Sequence, residues 1–234
     1  MTDTLSARSL GELVAESPDR ARVFDRLGLD YCCHGDRSLA EATEAAGLNP
    51  LAVAAALAAV ATPAPIAPAP DVGNLVALID DIVRGHHAFL RDELPALVAL
   101  AAKVNEVHGS RHPELAAVHQ LVVALRADLE PHMLKEERIL FPAVRLLVDG
   151  QRRFGFGTIG NPIRMMRLEH EQAGDLLAEL RRATGGYAVP ADGCASYETL
   201  YRRLEHVEED THLHIHKENN VLFPMAEALQ AAGS

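Results

Sequence analysis

Aromatic residues and excess positive charge are what this chain has least of. There is no Trp, and aromatic residues make up 4% of the 234 positions. Lys and Arg number 22 against 33 Asp and Glu, which gives a formal net charge of -11 with His neutral. Because nucleic-acid binding needs a basic face for the phosphates, we expect no nucleic-acid partner.

Long hydrophobic runs are also missing. The most apolar stretch, residues 51–61, is short and Ala-rich, whereas a membrane-spanning helix needs about 20 apolar residues. The N-terminal sequence MTDTLSARSL lacks the basic and apolar regions of a signal peptide. Three cysteines, two of them adjacent, do not make a disulfide framework. We therefore expect a cytoplasmic protein without a membrane partner.

Ala and Leu are abundant instead, and both favour helix over sheet. No segment shows sustained alternation of apolar and polar residues, so the sequence predicts an all-α fold. The segment TPAPIAPAP, residues 62–70, predicts an extended linker. We place a small helical domain before it, residues 1–61, and an antiparallel four-helix bundle after it, residues 71–234.

Several sequence signals mark where helices begin in the small domain, and the bundle contains four predicted long helices. In the small domain these signals are Ser9, Pro18, the capping box Ser38–Glu41 and the pair Asn49-Pro50. In the bundle we predict helices over about 72–107, 113–148, 162–183 and 196–232. Pro131 lies inside the second of these, and we expect it to interrupt that helix.

An internal repeat is the strongest signal in the sequence. The segment HMLKEERILFP begins at His132 and HIHKENNVLFP begins at His214, and they match in His, Lys, Glu, Leu, Phe and Pro. The first and third bundle helices match each other around His87 and His170. Two similar helix pairs, packed about a pseudo-twofold axis, would direct these four histidines and two glutamates inward.

The spacing of the repeat predicts a metal site. His132 and Glu136 are four residues apart and share a helix face, as do His214 and Glu218. A buried carboxylate is costly unless it is paired or bound to a metal. Four histidines and two carboxylates exceed what one tetrahedral zinc needs, and they suit two ions that share bridging glutamates. We predict two iron ions, with manganese as the alternative.

Other interpretations of the same residues compete with this one. The register of the repeat selects His87 over His86, which lies about 100° further around the helix. A ferritin-like site needs Glu-x-x-His pairs, and the one match, Glu209 to His212, faces away from His214. Solvated His–Glu pairs on a helix surface are the alternative to a metal site, but the repeated LFP context favours a buried seam.

Further candidates lie near the predicted ligands or in the small domain. Asp128 and Glu169 could bind ligand histidines or relay protons, the alternative being ordinary helix-surface roles. Cys32 and Cys33 lie in the segment DYCCHG, residues 30–35, where the start of a nearby helix would lower a thiol pKa. The alternative is a pair of buried structural cysteines. Cys194, alone in a loop, is predicted to be incidental.

The chain resembles the iron-sulfur cluster repair di-iron proteins of the YtfE/ScdA/Ric type. The resemblance rests on DYCCHG in a small helical unit, followed by HMLKEERILFP and HIHKENNVLFP in a hemerythrin-like bundle, and it covers nearly the whole chain. It implies terminal iron ligands, bridging carboxylates and a redox or interaction role for the cysteine pair. The implied terminal iron ligands are His87, His132, His170 and His214, and the implied bridging carboxylates are Glu136 and Glu218. The cysteine pair is Cys32 and Cys33.

The resemblance also implies a function. We expect repair of iron-sulfur clusters damaged by nitrosative and oxidative stress, by iron donation, by nitric oxide reduction at the iron pair, or by both. The expected partners are damaged iron-sulfur proteins and, as small ligands, nitric oxide or oxygen. The alternative is a hemerythrin-like module that binds or senses oxygen or nitric oxide. A homodimer through the small domain is a further expectation, because so small a unit buries little surface by itself.

Overall fold

The computed structural model describes residues 5–60 and 72–232. Regular structure within these ranges is helical, and extended pairing is limited to two isolated bridges, Ser9–Ser38 and Phe154–Gly157. The predicted all-α fold is therefore confirmed. The predicted linker, residues 62–70, lies outside the described ranges. Within those ranges, no helix combines the length and apolar character that crossing a membrane requires.

The N-terminal unit, residues 5–60, folds into short helices at the predicted start signals. Its α-helices in the described chain are Leu10–Glu16, Ala21–Leu27, Leu39–Ala45 and Pro50–Ala58. A 3-10 turn, Pro18–Arg20, precedes the second of them. Ser38 and Glu41 form the predicted capping box, and Ser9 forms another with Glu12. These caps satisfy the backbone N–H groups that a helix start leaves without partners.

The bundle consists of four long helices, three of which contain a π-helical segment. The first comprises Val72–Ile82, the π segment Val83–His87 and Ala88–His108. The second comprises Glu114–Lys135, the π segment Glu136–Leu140 and Phe141–Val148. The third is Gly160–Ala183. The fourth comprises Ala195–His216, the π segment Lys217–Leu222 and Phe223–Ala231.

The second bundle helix passes through Pro131 without interruption, so the prediction of a break there was wrong. Proline removes one backbone hydrogen bond, and this long, packed helix accommodates the loss. The departure from α geometry comes instead in the π segments, which contain His87, Glu136 and Glu218. Such wide turns are frequent at functional sites, and here each one contains a predicted ligand.

Two hydrophobic clusters enclose the predicted ligands. The larger cluster joins the N-terminal unit, including Leu13 and Phe24, to bundle residues such as Leu94 and Leu204. The smaller cluster fills the other end of the bundle and contains the Leu and Phe residues of both LFP segments of the repeat. Along each bundle helix the predicted ligand falls between residues of the two clusters. The polar site is thus a layer between two apolar ones.

Candidate metal centre

The six predicted ligands meet in this polar layer. They form two sets that share Glu136 and Glu218, and within each set the ligand atoms lie within 4.8 Å of one another. His87 and His214 complete one set, and His132 and His170 complete the other. All six side chains belong to residues that are 2% exposed or less. The sequence repeat therefore corresponds to a buried pair of potential metal positions.

Each shared carboxylate contacts a histidine of both sets. Glu136 places Oε2 3.3 Å from Nε2 of His87 and also 3.3 Å from Nε2 of His132. Glu218 places Oε1 3.2 Å from Nε2 of His214 and Oε2 3.0 Å from Nε2 of His170. The four carboxylate oxygens are buried and have no hydrogen-bond partner among the described residues. Because unpaired buried carboxylates are costly, these oxygens fit a bound cation.

The imidazoles of one set are also arranged for a cation. Nε2 of His132 and Nε2 of His170 lie 3.2 Å apart. Nδ1 of His132 lies 3.0 Å from Oε2 of Glu169, and Nδ1 of His170 lies 2.9 Å from Oδ1 of Asn219. Since each Nδ1 donates a proton to its acceptor, the ring in its neutral form directs a lone pair from Nε2. Two lone pairs this close repel unless a cation lies between them.

The other set has less symmetrical surroundings. Nδ1 of His87 donates to Oε1 of Glu137 over 2.8 Å, and the same oxygen accepts a hydrogen bond of 2.6 Å from Arg91. Nδ1 of His214 is buried without a hydrogen-bond partner in the described chain. Its ring stacks on His86, with the ring centres 5.6 Å apart. Three of the four candidate histidine ligands, His87, His132 and His170, therefore have an acceptor that fixes the ring orientation.

Ring stacking against the repeated phenylalanines fixes two of the histidines further. Phe141 lies 5.7 Å from His87 between ring centres, and Phe223 lies 5.9 Å from His170. Both phenylalanines are buried members of the LFP segments. The buried seam predicted from LFP is thus confirmed, and in each helix pair it packs against a candidate ligand.

His86 lies outside both sets, which agrees with the register chosen from the repeat. Its Nδ1 lies 2.8 Å from Oδ1 of Asp210, and its Nε2 accepts a hydrogen bond of 2.9 Å from Lys217. His212, the other rejected candidate, pairs with Asp25 of the N-terminal unit at 2.8 Å. Both residues are therefore occupied by partners other than the shared glutamates.

Comparisons with known proteins agree with this geometry. The family described as "Hemerythrin HHE cation binding domain" matches residues 78–226. The ScdA_N family, described as "Domain of Unknown function (DUF542)", matches residues 6–61. The iron-sulfur cluster repair protein YtfE of Citrobacter koseri is 34% identical over 217 residues, which cover 93% of this chain and 95% of that protein. The proteins of the same name from Escherichia coli O157:H7 and Shigella boydii serotype 4 are 34% and 33% identical, with the same coverage.

This chain belongs to the family of YtfE iron-sulfur cluster repair proteins. Its hemerythrin-type match spans all six candidate ligands. The chemistry of the donor set agrees with a cation-binding bundle, because imidazole and carboxylate without thiolate suit iron. The resemblance noted from the repeat and from DYCCHG is thereby confirmed.

Glu169 and Asp128 occupy different positions in this family member. Glu169 accepts hydrogen bonds from His132 and, over 2.5 Å, from Lys135. The bond from His132 is the main reason why the pKa of Glu169 falls to about 2, although burial opposes it. Asp128 has a buried Oδ2 without a hydrogen-bond partner in the described ranges, and burial raises its pKa. The structure thus brings Glu169 to a candidate ligand, whereas Asp128 only lies nearby.

Burial and nearby carboxylates have opposite effects on the pKa values of the candidate histidine ligands. Burial lowers the pKa of His170, but the adjacent Glu218 carboxylate outweighs burial and raises the pKa overall. Burial and Glu136 oppose each other at His87 in the same way, and the pKa is again raised. At His214, burial prevails and the pKa is lowered. Positive charge at this site is therefore favoured by the two carboxylates.

The cysteine loop, Asp30 to Gly35, packs directly against the centre. Sγ of Cys33 lies 3.7 Å from the carbonyl oxygen of His170. The carbonyl oxygen of Cys32 accepts hydrogen bonds from the side-chain amides of Asn219, at 3.3 Å, and Asn220, at 3.0 Å. Sequence reasoning missed both asparagines. The only signal in the repeat is that NN in the second segment replaces ER in the first at these two positions.

The Cys32 thiol differs from the prediction for this loop. The hydrogen bond with Cys33 and burial raise the pKa of Cys32 well above its usual range, so the predicted lowering was wrong for this residue. The physical reason is its neighbours, since Sγ lies 3.8 Å from Sγ of Cys33 and 3.3 Å from Oδ1 of Asp30. A nearby carboxylate disfavours a thiolate. Asp30, Cys32 and Cys33 also bring potential ligand atoms within 4.8 Å of one another.

Cys194 was predicted to be incidental, yet it has defined partners. It precedes the helix Ala195–His216, and its Sγ lies 3.1 Å from Nε2 of the buried His108. Hydrogen bonds from the Tyr197 backbone and from His108 lower the pKa of Cys194 to about 7. It lies twenty positions before His214, along the helix Ala195–His216, and therefore about 30 Å from the candidate metal centre.

Proposed function

We propose that this protein holds two iron ions and uses them to repair iron-sulfur clusters damaged by nitrosative and oxidative stress. His87 and His214 would be terminal ligands of one ion, and His132 and His170 those of the other. Glu136 and Glu218 would bridge both ions. The observation that carries the proposal is the pair of shared, buried carboxylates, whose oxygens have no other hydrogen-bond partner in the described chain.

The relatives support the biological role. They are named iron-sulfur cluster repair proteins and align over 93% of this chain. The proposed partners are therefore damaged iron-sulfur proteins. A division into a small domain (1–61), a linker (62–70) and a bundle (71–234) is supported by family matches at 6–61 and 78–226. Cytoplasmic location and dimerisation through the small domain remain predictions.

Two chemistries are compatible with the donor set. Two reduced iron ions held by these residues would supply two electrons, the number needed to convert two nitric oxide molecules and two protons to nitrous oxide and water. In the second chemistry, iron is the cargo and leaves the site for a damaged cluster. The chain itself holds the ligand rings in place through Glu137, Glu169 and Asn219. Glu169 also joins the buried His132 to the more exposed Lys135, which suits it to pass a proton or cation outward.

Metal analysis tests the proposed centre. Protein expressed with iron and purified without oxygen should contain two iron ions per chain. Glu136→Gln and Glu218→Gln should each lose iron, since each removes one charged ligand shared by both positions. Glu12→Gln is the matched control, because the Glu12 carboxylate lies at an exposed helix cap, where it accepts from the backbone N–H of Ser9. Iron content that stays unchanged in both ligand variants would contradict the centre.

Two activity measurements separate the chemistries. Nitric oxide added without oxygen to the reduced protein should give nitrous oxide if the site is a reductase. Iron-loaded protein should restore a nitric oxide-damaged iron-sulfur enzyme better than metal-free protein if the site is a donor. Failure of both, together with reversible oxygen binding, would favour the alternative of a hemerythrin-like binding or sensing module.

A further inference from the structure

The two repeat segments differ at the position directly after the shared glutamate. It is Glu137 in the first segment and Asn219 in the second. Both side chains accept a hydrogen bond from Nδ1 of a candidate ligand in their own helix pair, Glu137 from His87 and Asn219 from His170. Asn219 has a second contact that Glu137 lacks, because its amide nitrogen donates to the carbonyl oxygen of Cys32.

That second contact fixes the orientation of the Asn219 amide. A backbone carbonyl can only accept, so the amide nitrogen must face Cys32. The amide oxygen therefore faces His170 and can only accept a proton from its Nδ1. This assigns the proton of His170 to Nδ1 and leaves the lone pair of Nε2 free for a metal. The docked cysteine loop thus selects the ring form that ligation requires.

We propose that Asn219 is a positioning residue that couples docking of the cysteine loop to metal binding by His132 and His170. The inference rests on the proposed iron centre and deepens it. The loop favours metal binding at this set, and by thermodynamic reciprocity metal binding at this set favours the docked loop. The set of His87 and His214 lacks this link, because Glu137 bonds to His87 and Arg91 and has no hydrogen bond to the loop among the described residues.

Asn220 provides an internal comparison. Its amide nitrogen donates to the carbonyl oxygens of Tyr31 and Cys32, so it also holds the loop. It bonds to His216, which lies outside both ligand sets. Asn220 therefore anchors the loop without contacting a candidate ligand, whereas Asn219 touches both.

Two substitutions at Asn219 separate its two contacts. Asn219→Leu removes both the acceptor for His170 and the donor to Cys32. Asn219→Asp keeps an acceptor for His170 but replaces the donor with an oxygen that the Cys32 carbonyl repels. The controls are Asn220→Ala, which weakens the loop alone, and Glu137→Gln, which alters the equivalent contact at the other set.

The experiment measures metal affinity and loop docking on the same full-length protein. Ferrous iron affinity is determined without oxygen by competition with a chelator. Docking is read from the rate at which iodoacetamide alkylates Cys33, with and without iron, using peptide mapping and the distant Cys194 as internal reference. In the wild type we expect iron to slow alkylation of Cys33 about fivefold or more.

Each variant has a distinct expected result. Asn219→Leu should weaken binding of one of the two ions by about 10- to 100-fold and abolish the effect of iron on Cys33. Asn219→Asp should keep iron affinity but also abolish that effect. Asn220→Ala should speed alkylation with and without iron yet keep the iron effect, and Glu137→Gln should keep it too.

Two results would overturn the coupling. The first is an Asn219→Leu protein with wild-type affinity for both ions. The second is an iron effect on Cys33 that survives in Asn219→Asp. Wild-type protein that binds two ions but shows no iron effect would overturn the coupling alone. Wild-type protein that binds no iron would overturn the proposed function as well, so the two failures are distinguishable.

Discussion

The first and second helix pairs of the bundle carry the same candidate ligands in different surroundings. In the first pair, Glu137 joins His87 to Arg91, whose side chain is exposed. In the second pair, Asn219 joins His170 to the cysteine loop. The repeat therefore reproduces the candidate ligands, and the residues beside them make the second pair the one that binds the N-terminal unit.

The two helix pairs also differ in their ion pairs outside the polar layer. Glu208 of the second pair is 2% exposed and accepts three hydrogen bonds from Arg181, at 2.6 to 3.0 Å. Arg126 holds the equivalent repeat position in the first pair and makes a half-exposed bond of 2.7 Å to Glu130. A cavity of about 420 Å³ lies between the second pair and the cysteine loop and includes Arg181 and Glu208 in its lining.

The largest effect on stability that tests this difference between the helix pairs is expected from Arg181→Met. It leaves the buried Glu208 without its partner, and losing one partner of a buried pair costs about 3 kcal/mol. Arg126→Met removes only a half-exposed pair and should cost about 0.5 kcal/mol or less. Denaturant unfolding of both iron-loaded variants measures the two changes in the free energy of unfolding. Equal losses would mean that the two helix pairs do not differ in this respect.

Local features of the sequence were sufficient to predict the helices and to single out the six side chains that meet in the polar layer. His132 and Glu136 share a face because of helical spacing, and Ser38 marks a helix start by its own side chain. The repeat then selected His87 over His86, because His87 is the residue that aligns with His170 when the two helix pairs are compared. These inferences need only contacts within a helix or the comparison of two segments.

Contacts between distant segments could not be predicted in this way. The role of Asn219 depends on a loop almost two hundred positions away in the chain, as its bond to Cys32 shows. The raised pKa of Cys32 depends on burial and on the folded loop. Pro131 was misjudged because the cost of one lost hydrogen bond depends on how firmly the rest of the helix is packed.

A smaller effect is expected from Gly35→Ala in the cysteine loop. An added Cβ would lie 2.5 Å from Oδ1 of Asn220 and would also meet the backbone oxygen of Tyr31. Overpacking of this kind costs about 1 to 3 kcal/mol, and it should speed alkylation of Cys33 by displacing the loop. Gly85→Ala, in the first helix pair, is the control, because a Cβ there meets nothing within 4 Å. Thermal unfolding and alkylation rates measured on both variants check this, and a Gly35→Ala protein that matches Gly85→Ala would contradict it.

The smallest effect concerns reactivity rather than stability, and it compares the two cysteine environments. Backbone hydrogen bonding from Tyr197 and the bond from His108 lower the pKa of Cys194 to about 7, whereas the Cys33 contact and burial raise the pKa of Cys32. Since the thiolate is the nucleophile, alkylation of Cys194 should rise with pH to half its maximum near pH 7.

Cys32 should stay unreactive over the same pH range. His108→Gln should move the Cys194 profile toward the ordinary thiol pKa of about 8.5. His112→Gln should leave it unchanged, because His112 bonds Glu114 and Asp192 instead. Peptide mapping after short exposure to iodoacetamide between pH 5 and 10 gives both profiles on one sample. If the Cys194 profile is the same in His108→Gln as in the wild type, the low pKa comes from the helix start alone and His108 does not contribute to it.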